Sequence, residues 1–361
     1  MTTACKKPVF WSWLEWSVFL FGCIVIVGSL FAWQAYSSFQ TFSQTAGISA
    51  QEILQLYRDS QHYPLKSDQQ RINFLLLGVD VLPDRPADYP LTDTIILASL
   101  NLDNGQLNLL TLPRDIYLPE IKNKLNSVYA RHFLAQPEEA LALTTDFYRE
   151  TFSLPIHYTL LISLADLHHF LALINGVEVN IVNSFSDHRY PKSGVDVTQV
   201  HDPNLLYETI SFQEGLAHLD ADQALKFIRS RHAEGIEGSD YARSARQQLV
   251  LEATLKKVIN TLISQAKNYD FTFLGQLYDF YQTYYDQQIP FIEFLALGRY
   301  YLSGQHQFQF SNHKLNIAPE NQPAFLMENK GDYRTQGMWA LMITDRPSLV
   351  QEIHTKLDFD I

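Results

Sequence analysis

The sequence predicts a mixed α/β protein of the α+β type, in which helices and strands are interleaved. Three apolar runs with strand character follow one another at residues 72–79, 94–100 and 106–112. Further along, a helical pattern at residues 164–173 ends at an Asn-Gly pair, and a short strand follows at residues 177–181. With 361 residues, the chain has room for one large domain and an anchor, or for two modest domains.

The first predicted element is a transmembrane helix at residues 16–36. The run between Trp16 and Tyr36 carries no charged side chain and is about long enough to cross a hydrocarbon core of ~30 Å. Lys6 and Lys7 precede it, and no basic residue follows closely. By the positive-inside rule, residues 1–15 are expected in the cytoplasm, and the rest of a single-pass cell-membrane protein is expected outside it.

Two other interpretations of this span remain open. One is a cleaved signal peptide, although no small-x-small cleavage site directly follows the apolar run. The other is lipidation at Cys23, although the chain stays apolar for two turns after it. An uncleaved anchor fits the sequence better. Since Cys5 and Cys23 are the only cysteines, the part after the span has no internal disulfide or thiolate metal site.

After the span, residues 37–70 are rich in Ser and Gln and are expected to form a polar stalk, with an amphipathic helical piece at residues 52–58. The main domain is expected over residues 71–345, and residues 346–361 are taken as a C-terminal tail.

Two aspartates and an arginine stand at the ends of the three predicted strands. Asp80 follows the first strand, Asp93 precedes the second, and Arg114 follows the third. If the second and third strands form an antiparallel hairpin, Asp93 and Arg114 become neighbours. Two carboxylates and an arginine at one sheet edge suit a hard cation and a phosphate group. The alternative is that both aspartates are turn residues, since Asp favours such positions.

Arginines are concentrated near two helices in the second half of the chain. Asp220 and Gln223 form a capping-box pattern, which predicts a helix that ends near Arg229. Arg231 follows, and side chains two residues apart in extended chain can project in the same direction. Arginine suits planar, bidentate recognition of phosphate oxygens.

The next predicted helix opens with residues 240–248. Arg243 and Gln247 fall on the same stripe as Leu251 and Leu255, which should pack inward. A solvated arginine belongs on the opposite face, so this stripe favours a bound anion. The alternative is a surface salt-bridge cluster, which is common on proteins.

Composition excludes several classes of function. The formal net charge of −12 argues against nonspecific binding to nucleic acid, and no DNA-reading motif is present. Glycine-rich nucleotide loops, HExxH helices and GxSxG elbows are also absent from the sequence.

Eight motifs occur in an order and spacing that resembles the LytR-CpsA-Psr family, over about residues 71–265. In chain order they are INFLLLGVD, TDTIILASL, LLTLPRDIY, KLNSVYA, INGVEVNI, an F-x-x-G-x-x-x-L run from Phe212, ALKFIRSR and DYARSARQQ. The resemblance implies a central mixed sheet flanked by helices, with an apolar pocket for a polyprenyl chain, behind one membrane helix. It also implies a Mg²⁺-assisted phosphotransferase that moves a glycopolymer from a polyprenyl pyrophosphate carrier to a peptidoglycan hydroxyl.

The same resemblance implies roles for individual residues. Asp80 and Asp93 match the family's metal-binding aspartates, and Arg114 matches the arginine of its Pro-Arg-Asp motif. The pyrophosphate-binding set is matched by Arg229, Arg231, Arg243 and Gln247, with Lys124 at a weaker basic position.

One position departs from the family pattern. Leu91 stands two residues before Asp93, where the family usually has an arginine, and Arg85 in the preceding loop is a candidate substitute. A pyrophosphatase, or a protein that only binds the lipid carrier, therefore stays open beside the ligase. Transcriptional regulation, which the family's historical name suggests, does not suit an acidic, membrane-anchored chain.

Overall fold

A computed structural model of the protein describes residues 9–80, 89–192, 195, 202–268, 270–285, 288–303, 309–317 and 325–359. The helices are α1 Val9–Ala46, α2 Ala50–His62, α3 Val128–Ala135, α4 Ala140–Phe152, α5 Leu164–Leu173, α6 Pro203–Leu206, α7 Ala221–Arg229, α8 Asp240–Lys267, α9 Thr272–Tyr284, α10 Phe291–Ser303 and α11 Arg346–Leu357. The strands are β1 Arg71–Val79, β2 Thr92–Asn101, β3 Gln106–Thr111, β4 Ile116–Leu118, β5 Asn123–Lys124, β6 Tyr158–Ser163, β7 Val177–Ile181, β8 Phe185–Pro191, β9 Tyr207–Phe212, β10 Gly215–Leu219, β11 Gln309–Lys314, β12 Leu326–Asn329 and β13 Ala340–Ile343.

The chain divides into two compact units. The first comprises Met1–Arg58 and Ile259–Thr283, and the second comprises Asp59–Val258 and Tyr284–Ile361. In the first unit, α1 continues to Ala46, so residues 37–46 are helical and extend the helix beyond the predicted stalk boundary. Phe42 is buried there, and its ring lies 6.5 Å from that of Tyr278 on α9. This apolar contact stabilises the helical conformation of residues 37–46, which were expected to belong to a polar stalk.

No helix in the described part of the chain is both long enough and apolar enough to cross a membrane. The expected span at residues 16–36 lies within α1, and several of its side chains fall outside the described residues. The membrane anchor stays a prediction.

A five-stranded sheet with the order β11-β3-β2-β1-β6 forms the centre of the second unit. β1 and β3 each pair antiparallel with β2, whereas β6 and β11 pair parallel with β1 and β3. The sheet is therefore mixed, as predicted. β4 and β5 form a four-stranded sheet with β12 and β13, and two further strand pairs, β7 with β10 and β8 with β9, lie outside both sheets.

The two faces of the central sheet are covered differently. One face carries Leu75, Leu77 and Leu97 and packs against α3, α4 and α11 in a fully buried core. The other face carries Phe74 and Leu76, which are only partly buried, and α8 and α10 contribute apolar residues to the cluster on this face. This alternation follows from the two-residue period of a strand.

The end of the chain belongs to that buried core. Leu349, Ile353 and Leu357 of α11 are all buried within it, and Phe359 follows them. Residues 346–361 were expected to be a tail beyond a domain that ends at residue 345; in the structure, α11 completes the domain. Its apolar residues recur at helical spacing, which is why it packs inward.

Candidate active site

Asp80 and Asp93 come together at one end of the central sheet. β1 ends at Val79, and Val79 pairs with Thr92 while Gly78 pairs with Thr94. Asp93 is thus the extra residue of a β-bulge, a feature that redirects a side chain away from the regular alternation. The sequence placed Asp93 just before its strand; the structure places it inside the strand, one residue from the start.

Arg114 binds Asp93, as the predicted hairpin required. β2 and β3 pair antiparallel, and Arg114 Nη1 donates to Asp93 Oδ1 at 2.6 Å. The Asn126 backbone N–H donates to the Arg114 carbonyl at 3.1 Å. Thr92 Oγ1 in turn donates to the Asn126 carbonyl at 3.1 Å. The KLNSVYA motif therefore fixes both the segment that carries Arg114 and the start of β2.

Lys124 joins the same network through a third carboxylate. Lys124 Nζ lies 2.7 Å from Asp115 Oδ1, and Arg114 Nε lies 3.4 Å from Asp115 Oδ2. The pairing of β4 with β5 places Tyr117 opposite Lys124, which brings the lysine back beside the Pro-Arg-Asp segment.

Arg229 ends α7 and faces Asp80. The helix starts at the predicted capping box of Asp220 and Gln223, with both reciprocal hydrogen bonds formed. Arg229 Nη2 lies 3.5 Å from Asp80 Oδ1, and Nη1 donates to Tyr190 Oη at 3.3 Å. The guanidinium also lies over the Tyr190 ring, 5.9 Å from its centroid. Burial raises the pKa of Tyr190, while Arg229 acts in the opposite direction, so the phenol stays protonated at neutral pH.

Arg231 approaches Asp93, with 4.0 Å between Nη2 and Oδ2. Arg231 is 39% exposed and Asp80 is 49% exposed, so a ligand can reach both side chains from solvent. Arg229 and Arg231 thus contact the two aspartates separately.

Asp187 on β8, which was not predicted from the sequence, holds the segment that bears these arginines. Its carboxylate is fully buried. It accepts hydrogen bonds from Ser230 Oγ at 2.7 Å, from the Arg231 N–H at 3.0 Å, and from the His232 N–H at 3.1 Å. Burial alone would raise the pKa of Asp187, but these bonds and one from the Arg189 N–H hold the pKa below its usual value. An isolated β-bridge between Asp187 and Ala233 extends the contact. No local sequence pattern predicts this pairing.

Arg243 and Gln247 lie on the inner stripe of α8. Arg243 is buried in the first turn, and Gln247 is half-buried one turn later. Leu251 and Leu255 continue the stripe over the open face of the sheet. The inward orientation that the sequence predicted is confirmed.

Arg246, the other arginine of that motif, has a structural role. Its guanidinium donates to the carbonyls of Phe227, Ser230 and Glu237 at 2.9, 2.8 and 3.0 Å, and it bonds the Glu237 carboxylate at 2.8 Å. It also lies 4.7 Å from the Phe185 ring centroid. Arg246 therefore ties the end of α7 and the following loop to α8.

Arg85, the candidate substitute for the missing arginine, lies outside the described residues. Leu91 lies inside them and is 37% exposed.

The carboxylates fit a divalent cation only together with a ligand. Within the described residues, no group of three or more His, Cys, Asp or Glu side chains is arranged to hold a metal ion. Mg²⁺ is commonly bound by one or two carboxylates, with waters and substrate phosphates as its other ligands. Asp80 and Asp93 can supply that part of a coordination shell.

Cationic groups outnumber carboxylates at the site. Arg114, Lys124, Arg229 and Arg231 contact the three acids Asp80, Asp93 and Asp115. In a chain of net charge −12, this local excess of positive charge suits an anion.

Comparison with known proteins identifies similar sequences and similar folds. A teichoic acid transferase of Bacillus cereus, named polyisoprenyl-teichoic acid--peptidoglycan teichoic acid transferase TagU, is 26% identical over 257 residues, covering 68% of this chain and 70% of the relative. The fold is similar to that of Bacillus subtilis TagV, with a TM-score of 0.51, 16% identity, and coverage of 82% of this chain and 100% of TagV.

The fold is also similar to that of an Enterococcus faecalis protein described as a transcriptional regulator. The TM-score is 0.53 and the identity 18%, with coverage of 81% of this chain and 89% of that protein. The model of the LytR_cpsA_psr family matches residues 36–330, which is most of the chain. The protein is therefore a member of the LytR-CpsA-Psr family.

Proposed function

We propose that the protein is a phosphotransferase that moves a glycopolymer from a polyprenyl pyrophosphate carrier to a hydroxyl group of peptidoglycan. The observation that carries this proposal is the position of the arginine and aspartate cluster at the end of a half-open apolar seam. The name of the TagU relative supports the same class of reaction.

The seam between the sheet and α8 is suited to an amphiphilic ligand. Phe74, Leu76 and Gly78 alternate along the face of β1 that ends at Asp80. Phe74 and Leu76, together with Leu251 and Leu255 on α8, pack against one buried apolar cluster on β2 and β3. The inner stripe of α8 begins with Arg243 and Gln247 and becomes apolar one turn later, at Leu251. Gln248, near the start of α8, donates to Thr111 Oγ1 at the end of β3 that leads to Arg114. Both walls therefore change from polar to apolar away from the carboxylates.

Such a gradient fits a pyrophosphate group at the arginines and an isoprenoid chain along the leucines. Each buried methylene group contributes about 0.8 kcal/mol of binding free energy, so a long polyprenyl chain needs only part of its length buried. The cationic end adds charge-assisted hydrogen bonds to phosphate oxygens.

The chemistry of the transfer requires little beyond positioning and charge neutralisation. The acceptor hydroxyl loses its proton to water as its oxygen forms a bond to the sugar-linked phosphorus, the bond from that phosphorus to the bridging oxygen breaks, and polyprenyl phosphate leaves. Arg114, Arg229 and Arg231 would bind the phosphate oxygens that gain negative charge, and their clustering around Asp80 and Asp93 supports that role. Asp80 and Asp93 would hold Mg²⁺, which would neutralise further charge on the phosphates.

Substitution of the aspartates tests this proposal. Asp80→Asn and Asp93→Asn keep the side-chain volume but remove the charges that would hold the cation. We expect each variant to lower turnover of a polyprenyl pyrophosphate-linked sugar by at least about a hundredfold and to stay folded.

The control is Asp146→Asn on α4, an exposed partner of Arg149 remote from the cluster in sequence. Normal turnover by both aspartate variants with Mg²⁺ present would show that the metal assignment is incorrect.

Hydrolysis is the second candidate reaction, and Leu91 is the observation that favours it. An exposed leucine next to the bulge supplies no cation where the family usually has an arginine. In hydrolysis, water takes the place of the acceptor hydroxyl. Measuring both released polyprenyl phosphate and sugar transferred to a glycan acceptor separates the two reactions: a ligase yields equal amounts, and a pyrophosphatase releases the lipid without transfer.

The proposal includes localisation at the cell membrane, with the main unit outside the cytoplasm. The uncharged run at residues 16–36 and the preceding lysines support it.

A further inference from the structure

Trp339 presents an exposed indole beside the cationic network and has no part in the assignments above. It lies immediately before β13, whose first two residues, Ala340 and Leu341, are buried. Trp339 itself is 41% exposed. The family model matches residues 36–330 and so does not cover Trp339.

The indole is connected to the proposed transfer site by short contacts. Lys124 Nζ lies 5.6 Å from the centroid of the Trp339 ring. The same Nζ bonds Asp115 at 2.7 Å, and Asp115 lies 3.4 Å from Arg114. The backbone adds a further link, because the Leu341 N–H donates to the Asp115 carbonyl at 2.9 Å. Trp339 is therefore held at the margin of the site.

The loop that ends in Trp339 is fixed by buried hydrogen bonds. Asn329, 1% exposed, accepts from the N–H groups of Gly331 and Asp332 at 2.8 and 3.0 Å. Thr335, fully buried, donates through Oγ1 to the Met338 carbonyl at 2.6 Å. Gly331 has φ +101°, and a Cβ there would lie 2.5 Å from the Gly337 carbonyl oxygen. The loop is thus closed on itself, and the indole needs little ordering before it binds a ligand.

We propose that Trp339, together with the Lys124–Asp115 pair, forms a subsite for a sugar ring of a glycan substrate. The flat indole suits the C–H face of a pyranose ring, and the lysine and carboxylate beside it suit the ring's hydroxyl groups. This inference rests on the proposed transfer of a glycopolymer. The sugar belongs either to the peptidoglycan acceptor or to the lipid-linked donor, and the experiment distinguishes these sources.

Fluorine NMR of the full chain labelled with 5-fluorotryptophan provides a direct readout of binding. The chain has 5 tryptophans, and the other four, Trp11, Trp13, Trp16 and Trp33, all lie near its beginning, where they serve as internal references. The signal missing from the Trp339→Phe spectrum identifies Trp339.

Three probes are added separately: a β-1,4-linked N-acetylglucosamine tetramer, a polyprenyl pyrophosphate-linked disaccharide, and farnesyl pyrophosphate, which has no sugar. A shift of the Trp339 signal with the tetramer supports the acceptor as the source. A shift with the lipid-linked disaccharide but not with farnesyl pyrophosphate supports the donor. No shift with either sugar, or an equal shift with farnesyl pyrophosphate, would overturn the subsite.

Steady-state kinetics give a second readout. If the subsite binds the acceptor, Trp339→Ala should raise the KM for the glycan acceptor about tenfold with little change in kcat; if it binds the donor, the KM for the lipid-linked sugar should rise instead. Trp339→Tyr should restore most of the loss, because it keeps an aromatic face. The control is Tyr57→Ala, which removes an aromatic residue that is 61% exposed on α2. An unchanged KM for both substrates in Trp339→Ala would contradict the proposal.

Failure of this inference can be told apart from failure of the proposed function. Binding of sugar-free farnesyl pyrophosphate depends on the arginines and not on the indole. If Arg231→Lys leaves that binding unchanged, the pyrophosphate site is incorrect, while the glycan titration of Trp339 still decides the sugar subsite.

Discussion

Two guanidinium groups of the site, and the backbone of a third arginine, are held by specific partners. Arg114 is bonded to Asp93, Arg229 to Tyr190 and Asp80, and the backbone of Arg231 to Asp187. A planar guanidinium held in this way presents its remaining N–H groups in a defined direction, which an ammonium group does not. Their geometry therefore contributes to phosphate recognition in addition to their charge.

Arg231→Lys and Arg243→Lys test the contribution of that geometry. Both variants keep the charge but lose the bidentate fork, so each should lower kcat/KM for a polyprenyl pyrophosphate substrate about tenfold or more, or roughly 1.4 kcal/mol per decade. Arg58→Lys is the control, since Arg58 is exposed on α2. If both variants match the control in affinity and turnover, these arginines are structural and the active site lies elsewhere.

Asp187 acts as a positioning residue, and Asp187→Asn separates its role from catalysis. The amide NH₂ would face donor groups that now bond the carboxylate, which destabilises the segment at residues 230–232. We expect a loss of about 1.5 to 3 kcal/mol in the free energy of unfolding, measured by denaturant titration.

Turnover of the folded Asp187→Asn variant should also fall, because the Arg231 backbone shifts. This shift is measured through the KM for the lipid pyrophosphate, which should rise in the variant. Unchanged stability and unchanged KM together would show that Asp187 does not hold this segment.

Stability should depend on pH through the same carboxylate. The pKa of Asp187 is lowered in the folded protein by its hydrogen bonds, against the effect of burial. Its stabilising contribution is therefore fully present above the unfolded pKa of about 3.9 and is lost as the pH falls through the folded pKa. Between about pH 5 and pH 3, the free energy of unfolding should drop more steeply in the parent than in Asp187→Asn. Parallel curves would refute this assignment.

At the scale of elements, sequence patterns predicted those parts of the site that depend on local structure. The hairpin of β2 and β3 brought Asp93 to Arg114, and the capping box of Asp220 placed Arg229 at a helix end. Both predictions rest on short-range rules for strands and helix termini.

Other features of the site could not be predicted locally. The bulge at Asp93 depends on the register between β1 and β2, which the sequence between the two strands does not determine. Asp187 on β8 bonds Ser230, which follows α7 and is 43 positions away in sequence. Such contacts are set by tertiary packing, so a single sequence does not reveal them.

The inner stripe of α8 gives the element-scale prediction. Leu255 contacts the open face of the sheet, so Leu255→Gln should weaken binding of a long polyprenyl pyrophosphate about tenfold while changing farnesyl pyrophosphate binding much less. The ratio of the two affinities is the measurement, because it does not depend on the folded fraction. Lys256→Gln, at an exposed position on the same helix, is the control. An unchanged ratio would place the lipid chain elsewhere.

At the scale of the whole molecule, the family match and the mixed sheet agree with the class predicted from the sequence. The predicted domain ended at residue 345 and left out α11, because this helix is short and carries Pro347 and several polar residues. Its apolar residues are identified as core residues only by their burial in the structure. In the same way, the helical residues 37–46 are stabilised by α9, a partner far away in sequence.

Membrane topology is the prediction that belongs to the whole molecule. The proposed acceptor lies outside the cytoplasm, and the lysines ahead of the uncharged run at residues 16–36 favour a cytoplasmic N-terminus. A reporter that is active only outside the cytoplasm, fused after Ile361, should therefore be active in cells. A reporter that works only in the cytoplasm, fused at the same place, should be silent.

Reversing the flanking charge tests the cause of that orientation. Lys6→Glu and Lys7→Glu, combined with lysines inserted after Tyr36, should move part of the population to the opposite orientation, because positive charge near the span is retained on the cytoplasmic side. The same lysines inserted within residues 62–70, farther from the span, serve as the control and should have a smaller effect. Cytoplasmic reporter activity in the parent chain would contradict the topology, and with it the access of Arg231 and Asp93 to peptidoglycan.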